Sequence, residues 1–156
     1  MFKLFKRKLR EVVSPIDGQV VDITEVPDEV FANKMVGDGV AIKPIGDIFC
    51  APISGTVSKI FLTNHAYSIK SDKDLEVMVH IGLETVALEG KGFERLVNEG
   101  DSITAGDPVI KVDLDYIVIH ARDIITPIII SEESDVQQIE KKLSIVKCGD
   151  VVMKVT

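Results

Sequence analysis

Residues 14–23 read SPIDGQVVDI, and 37 positions later residues 51–60 read APISGTVSKI. Both follow the pattern small-Pro-Ile-x-Gly-x-Val-x-x-Ile, so one turn and one strand are used twice. A second recurrence starts at Gly37 (GDGVAIKP), Gly106 (GDPVIKVD) and Gly149 (GDVVMKVT). Each is a Gly-Asp turn that launches a short strand with a lysine near its end. Repeated turn-strand units predict an all-β chain: an antiparallel β-sandwich or barrel-like fold with an internally duplicated motif and few short helices.

Helical signals are correspondingly scarce. Residues 92–98, GFERLVN, have room for about two turns, and Leu114, Ile117, Val118 and Ala121 recur at helical spacing. His120 lies off that apolar stripe and reads as a surface residue without chemistry. Pro127 precedes the apolar run Ile128, Ile129, Ile130, which reads as a buried strand.

The chemistry is concentrated in residues 74–90, DLEVMVHIGLETVALEG. Leu75, Val77, Val79 and Ile81 fall on one face of a strand, and Glu76, Met78 and His80 on the other. His80 therefore points away from the more apolar face, where Gly82 lets the backbone leave the sheet. A histidine in that place is either a structural or merely exposed residue, or a working one. A second histidine bears on the choice. In TNHAYSI, Thr63, His65, Tyr67 and Ile69 share one face of a second strand, and the polar run KSDKD lies between the two. A hairpin turn centred between Asp72 and Lys73 sets His65 opposite His80, with β-carbons about 4.5–5.5 Å apart. Thr63 is then placed to hydrogen-bond the His65 ring and fix which nitrogen is free.

Between the two Pro-Ile units, residues 26–42 read VPDEVFANKMVGDGVAI. Val30, Phe31, Met35 and Val36 are too apolar for an ordinary solvated loop. They either complete the core, the reading the sequence favours, or form an exposed patch around the histidines.

At 156 residues the chain predicts one domain over residues 11–156, preceded by a basic tail over residues 1–10. The first ten residues, MFKLFKRKLR, hold five of the 18 Lys and Arg; the rest carries 13 against 25 Asp and Glu, a balance of −12. That acidic body argues against nucleic acid as a partner. The tail interleaves Met1, Phe2, Leu4, Phe5 and Leu9 with cations, and suits either weak contact with anionic lipid or a frayed solubilising end. Cys50 and Cys148 match no metal or redox spacing, and there is neither a secretory signal nor a long apolar run. The expected setting is a reducing cytoplasm, with peripheral contact at the inner face of the membrane left open.

The motifs VFANKMVGDGVAIKP, APISGTVSKIF, TNHAYSI, VHIGLETVALEGKGF and GDVVMKV together resemble the glucose-family IIA component of the bacterial phosphoenolpyruvate-dependent sugar phosphotransferase system. The resemblance covers residues 11–156. VHIGLETVALEG is its most specific part, with Glu84 standing where an aspartate is usual. The resemblance implies a phosphocarrier with a β-sandwich of duplicated hybrid motif. His80 falls on the phosphorylated histidine, which accepts a phosphoryl group from the phosphocarrier protein HPr and passes it to a cysteine of the IIB component of the sugar permease (IIB or IIBC). His65 falls on the second active-site histidine, which donates to the phosphoryl oxygens, and Thr63 on the residue supporting it. Gly82 falls where the backbone orients the phosphorylated ring, and Phe31, Val36, Met78 and Val86 map to the apolar surroundings. No cofactor is implied, since the phosphoryl donor is a protein and no Walker loop is needed. Phosphorylation is also expected to switch regulatory partners. Beginning at Met1 without a fused domain, the chain reads as a free-standing carrier, monomeric by default.

Two other classes compete. A zinc-dependent hydrolase would use the paired histidines, but it needs about three protein ligands and a base. The chain has three histidines, no His-x-His and no Cys cluster. A non-catalytic binding module, or a biotinyl or lipoyl carrier, is suggested by the Gly-Asp turns and VMKV at residues 152–155, yet that lysine sits at the C-terminal end rather than on a hairpin between halves.

Overall fold

The computed structural model describes residues 9–72 and 74–156. The expectations for residues 1–8 of the basic tail lie outside them. In chain order the elements are β1 (Arg10–Val13), β2 (Gly18–Asp22), a 3-10 turn (Ile23–Glu25), α1 (Glu29–Ala32), β3 (Gly39–Pro44), β4 (Ile48–Cys50), β5 (Gly55–Ile60), β6 (Ala66–Lys70) and β7 (Glu76–His80). A second 3-10 turn (Thr85–Leu88), β8 (Phe93–Arg95), β9 (Ser102–Ile103), β10 (Pro108–Val112), α2 (Leu114–His120), β11 (Thr126–Ile130), β12 (Ile139–Lys141), β13 (Ile145–Val146) and β14 (Val151–Val155) follow.

Eight strands form one sheet in the order β13-β2-β3-β11-β7-β6-β5-β9, and β1-β14-β12 and β4-β10-β8 form two small ones. The paired strands run antiparallel, as expected, and the large sheet does not close into a barrel.

The duplication read in the sequence is the symmetry of this sheet. β2 pairs with β3 as β5 pairs with β6, and the halves join where β11 meets β7. Gly18 and Gly55, the shared glycines of the repeat, each lie where a Cβ would stand 2.2 Å from a partner-strand carbonyl, Lys43 O and Lys70 O. Only glycine permits that approach. The turns before the repeated strands interlock across the halves. Val13 N–H donates to Pro52 O (2.9 Å) as Cys50 N–H donates to Pro15 O (2.8 Å). Gly149 N–H donates to Ser14 O and Gly106 N–H to Ala51 O, both at 2.9 Å. Two Gly-Asp turns are also built alike: Asp107 accepts from Thr104 N–H at 3.0 Å and Asp150 from Lys147 N–H at 2.8 Å.

Alternation decides which face each residue covers. One face carries Val20, Val40, Ile42, Val77, Val79 and Ile128 into a core shared with the small sheets, where Val12, Phe49, Val109 and Val152 meet them. The other face carries Val21, Ala41 and Ile129, which pack with Ile23, Val26, Phe31, Leu83 and Ile125 into a second, smaller cluster. β11 is covered on both sides, so all five of its residues are buried, including the predicted run Ile128, Ile129, Ile130.

Two expectations are corrected. Residues 92–98 are not helical: Phe93–Arg95 is β8, paired with β10, so its backbone bonds across the sheet while Phe93 enters the core. Gly90 and Gly92 precede it with φ of +87° and +88°, a conformation foreign to a right-handed helix. The helix expected around Leu114 and Ile117 is α2, capped by Asp113, which accepts from Tyr116 N–H at 3.2 Å. Its Ile117 is buried and His120 exposed, as expected.

The second correction is one of register. β6 pairs with β7 so that Ala66, not His65, faces His80. Ser71 N–H donates to Leu75 O at 2.8 Å, and Asp74 takes the left-handed conformation at φ +55°. The loop thus has three residues rather than two, and every pair shifts by one. Lys73 itself lies outside the described residues.

Candidate active site

The histidines meet despite that shift, because His65 is not in the strand. It precedes β6, after Asn64 at φ +59°, and there strand alternation no longer dictates side-chain direction. Its carbonyl accepts from Ile81 N–H at 2.7 Å. The rings of His65 and His80 lie edge to face, with centroids 5.0 Å apart and planes at 80°.

Each ring has one nitrogen engaged. His80 Nδ1 is 2.7 Å from Gly82 O, an acceptor only, so Nδ1 carries the proton and Nε2 keeps its lone pair. His65 Nδ1 is 2.5 Å from Thr63 Oγ1. When the hydroxyl donates there, His65 Nε2 carries the proton and becomes a donor.

Gly82 meets its task through conformation. At φ +74° a Cβ would stand 2.7 Å from Thr85 Cγ2 and 2.9 Å from Asp123 O. Thr85 Oγ1 donates to Ile81 O at 2.6 Å, and Leu83 N–H to Asp123 O at 2.8 Å, so the turn beyond β7 is tied at both sides.

Burial favours the neutral form of both imidazoles. His65, 4% exposed, is pushed down to about 4, first by burial and then by the neighbouring His80. His80 is half-buried and also lowered by burial, against the opposing pull of its bond to Gly82 and the charge of Asp28.

The apolar residues divide. Phe31, from α1, is buried and packs on His80 with centroids 5.1 Å apart. Met78 is half-buried against the smaller cluster and lines a shallow depression with Val36, Ser68 and Ile129. Val30, Met35 and Val36 are exposed, so core packing, favoured from sequence, holds for Phe31 and not for these three. Val86, on the 3-10 turn after Gly82, is 55% exposed.

Three residues that the sequence reading did not single out complete the site. Phe61 lies edge-on to His65, centroids 5.3 Å apart. Arg95 donates to Asn64 Oδ1 at 2.8 Å, and to Phe61 O at 3.4 Å, holding the turn that carries His65. Asp28 caps α1 by accepting from Val30 N–H at 2.9 Å, and Arg122 braces it at 3.9 Å while donating to Pro27 O at 2.6 Å. The Asp-Glu-Val-Phe run was a legible capping signal for Asp28; Arg95 was hidden by the mistaken helix.

Among the described residues, no group of three or more His, Cys, Asp and Glu is placed to hold a metal ion, and no helix is long and apolar enough to cross a membrane.

Comparison with known proteins gives the same frame. The family profile of the phosphoenolpyruvate-dependent sugar phosphotransferase system, EIIA 1, matches residues 10–136. The N-acetylglucosamine-specific EIICBA component of Escherichia coli (strain K12) is 52% identical over 127 residues, 81% of this chain and 20% of that protein. The chain thus spans about a fifth of that relative. The glucose-specific EIIA component of Haemophilus influenzae is 45% identical over 143 residues, 92% of this chain and 86% of that protein. The solved glucose permease IIA from Mycoplasma capricolum superposes with a TM-score of 0.91 at 38% identity, covering 97% of this chain and 99% of that one. The chain belongs to the EIIA 1 family of the phosphoenolpyruvate-dependent sugar phosphotransferase system.

Proposed function

We propose that the chain works in the cytoplasm through a phosphohistidine at His80, loaded by phospho-HPr and discharged to a cysteine of a IIB component. The observation that carries this reading is the pair of imidazoles, edge to face at 5.0 Å, with each Nδ1 engaged. Nε2 of His80 is then the nucleophile and Nε2–H of His65 the donor to the phosphoryl oxygens. The new N–P bond forms as the bond from phosphorus to HPr breaks. The proton stays on Nδ1 of His80, where Gly82 O holds it; the ring gains positive character and remains a good leaving group for the return transfer.

Phe31, Val36, Met78 and Val86 supply the apolar surroundings. Such a surface lets two partners dock in turn with little desolvation of charge and slows hydrolysis of the phosphohistidine. The EIICBA composition of the relatives supports IIB and IIC partners, since in those proteins all three components are named in one chain. The added charge, about −2, on this docking face suits a regulatory output as well.

The test is incubation with phosphoenolpyruvate, enzyme I and HPr, followed by intact-mass analysis and brief acid treatment. One acid-labile phosphate, absent in His80→Ala, supports the reading. No mass change while HPr itself is phosphorylated overturns it.

A further inference from the structure

The two cysteines, 98 positions apart in sequence, lie together in the fold. Cys50 N–H donates to Pro15 O at 2.8 Å, and Cys148 N–H to Asp17 Oδ1 at 2.7 Å, so one four-residue turn of the first repeat anchors both. Both side chains therefore start from one turn, where Cys50 Sγ lies 4.0 Å from Ile48 O. Cys50 is buried, Cys148 is exposed, and neither is in a disulfide.

The duplication supplies an internal control. Val13 takes the place of Cys50 in the other half, donating to Pro52 O, and Ala105 takes the place of Cys148, donating to Ser54 Oγ at 2.9 Å. The same backbone arrangement is therefore satisfied by valine and alanine. Packing does not demand a thiol at either position, and the half that carries thiols carries both on one turn.

We infer that Cys50 and Cys148 form a thiol–disulfide site that gives up two electrons to a small-molecule disulfide such as glutathione disulfide and closes into an intramolecular bond. Cys148, the accessible sulfur, attacks as thiolate. It forms a mixed disulfide and releases one small thiolate. Cys50 gives its proton to water and attacks the Cys148 sulfur, breaking the mixed bond and releasing the second thiolate. The two cysteines together lose two protons and two electrons, and the small disulfide becomes two thiols. Cys148 is exposed and Cys50 buried, which sets this order of attack; burial, the neighbouring Cys148 and the carboxylates of Asp107 and Asp17 push the Cys50 thiol up to about 12 in the same sense. In a reducing compartment the pair rests as dithiol and closes under oxidant load.

The bond would tie the end of β4 to the turn before β14 and close a long loop of chain, a constraint that acts on the unfolded state. Reduced protein is incubated with glutathione disulfide, quenched with N-ethylmaleimide and examined by intact mass and peptide mapping. The expected product has lost both thiols, carries no glutathione, joins the Cys50 and Cys148 peptides, reverts with dithiothreitol, and melts roughly 5–15 °C higher. Cys50→Val and Cys148→Ala copy the residues of the other half and so preserve packing. Cys50→Val should stop at one stable glutathione on Cys148, and Cys148→Ala should not react while folded. A wild-type product that stops at the Cys148 adduct, or that is linked only between two chains, overturns the proposal.

Discussion

The carbonyl of Gly82 accepts the Nδ1 proton of His80 at 2.7 Å, from a residue that reaches this position only because its φ is +74°. The turn after β7 thereby sets the tautomer of the residue at the strand's end. Gly82→Ala should cost about 1–3 kcal/mol of stability from backbone strain and the contacts with Thr85 and Asp123. It should also slow phosphoryl acceptance by roughly 10–100-fold, the worth of one charge-assisted hydrogen bond. Rapid-quench rates beside urea unfolding separate the two effects; a destabilised variant with normal acceptance would show that Gly82 acts on the fold alone.

His65 and Thr63 should divide the two half-reactions. His65→Gln keeps an N–H for the phosphoryl oxygens, so acceptance from HPr should persist while donation to IIB slows by about 100-fold or more. Thr63→Val should slow donation by about tenfold. Equal loss in both half-reactions would refute this division.

Stability should fall on mild acidification, and the histidines set the window. A group whose folded pKa lies below its unfolded value binds fewer protons in the folded state, so its contribution is complete above the unfolded value, 6.5, and is lost as pH falls. For His65 the loss runs from 6.5 to about 4 and amounts to about 3 kcal/mol at most; His80 adds in the same direction. Urea unfolding between pH 7.5 and roughly 4 should show this decline, and His65→Gln should flatten it. An unchanged slope in that variant would place the protons elsewhere.

The repeat was legible because it pairs a glycine that no other residue could replace with a strand of fixed alternation. Gly18 and Gly55 meet Lys43 O and Lys70 O in the same way. The faces of β7 were legible for the same reason. The register was not, since it depended on whether the loop holds two residues or three, and Asp74 carries no glycine to announce its left-handed turn. The proximity of His65 and His80 was therefore expected for a wrong reason and arises from a turn. The β8 error came from reading spacing without its two preceding glycines. The shared anchoring of Cys50 and Cys148 on Pro15 and Asp17 comes from the crossing of the two repeats, which neither repeat shows alone.

Lys141 offers a test of how the fold holds the site. From β12 its Nζ reaches Asp22 Oδ1 at 2.7 Å and Asp38 Oδ1 at 2.8 Å. Those aspartates end β2 and precede β3, so one ammonium closes the base of the excursion that carries α1 and Phe31 over His80. Burial raises the Asp22 carboxyl, but hydrogen bonds from Lys141 and Thr24 prevail and bring it to about 2; Asp38 is lowered in the same way. Lys141→Met should leave two facing carboxylates without their shared cation, Asp38 keeping Lys34 at 3.6 Å, and cost about 2 kcal/mol at pH 7, discounted for their partial exposure. Both folded values lie below the unfolded 3.8, so the wild-type advantage is present above 3.8 and lost as pH falls toward about 2. The gap between variant and wild type should therefore close over that range. Acceptance at His80 should slow by several-fold as Phe31 loosens, with donation slowed in proportion. A variant as stable as wild type at pH 7, or a gap that stays constant down to pH about 2, would show that the clip contributes nothing through its charges.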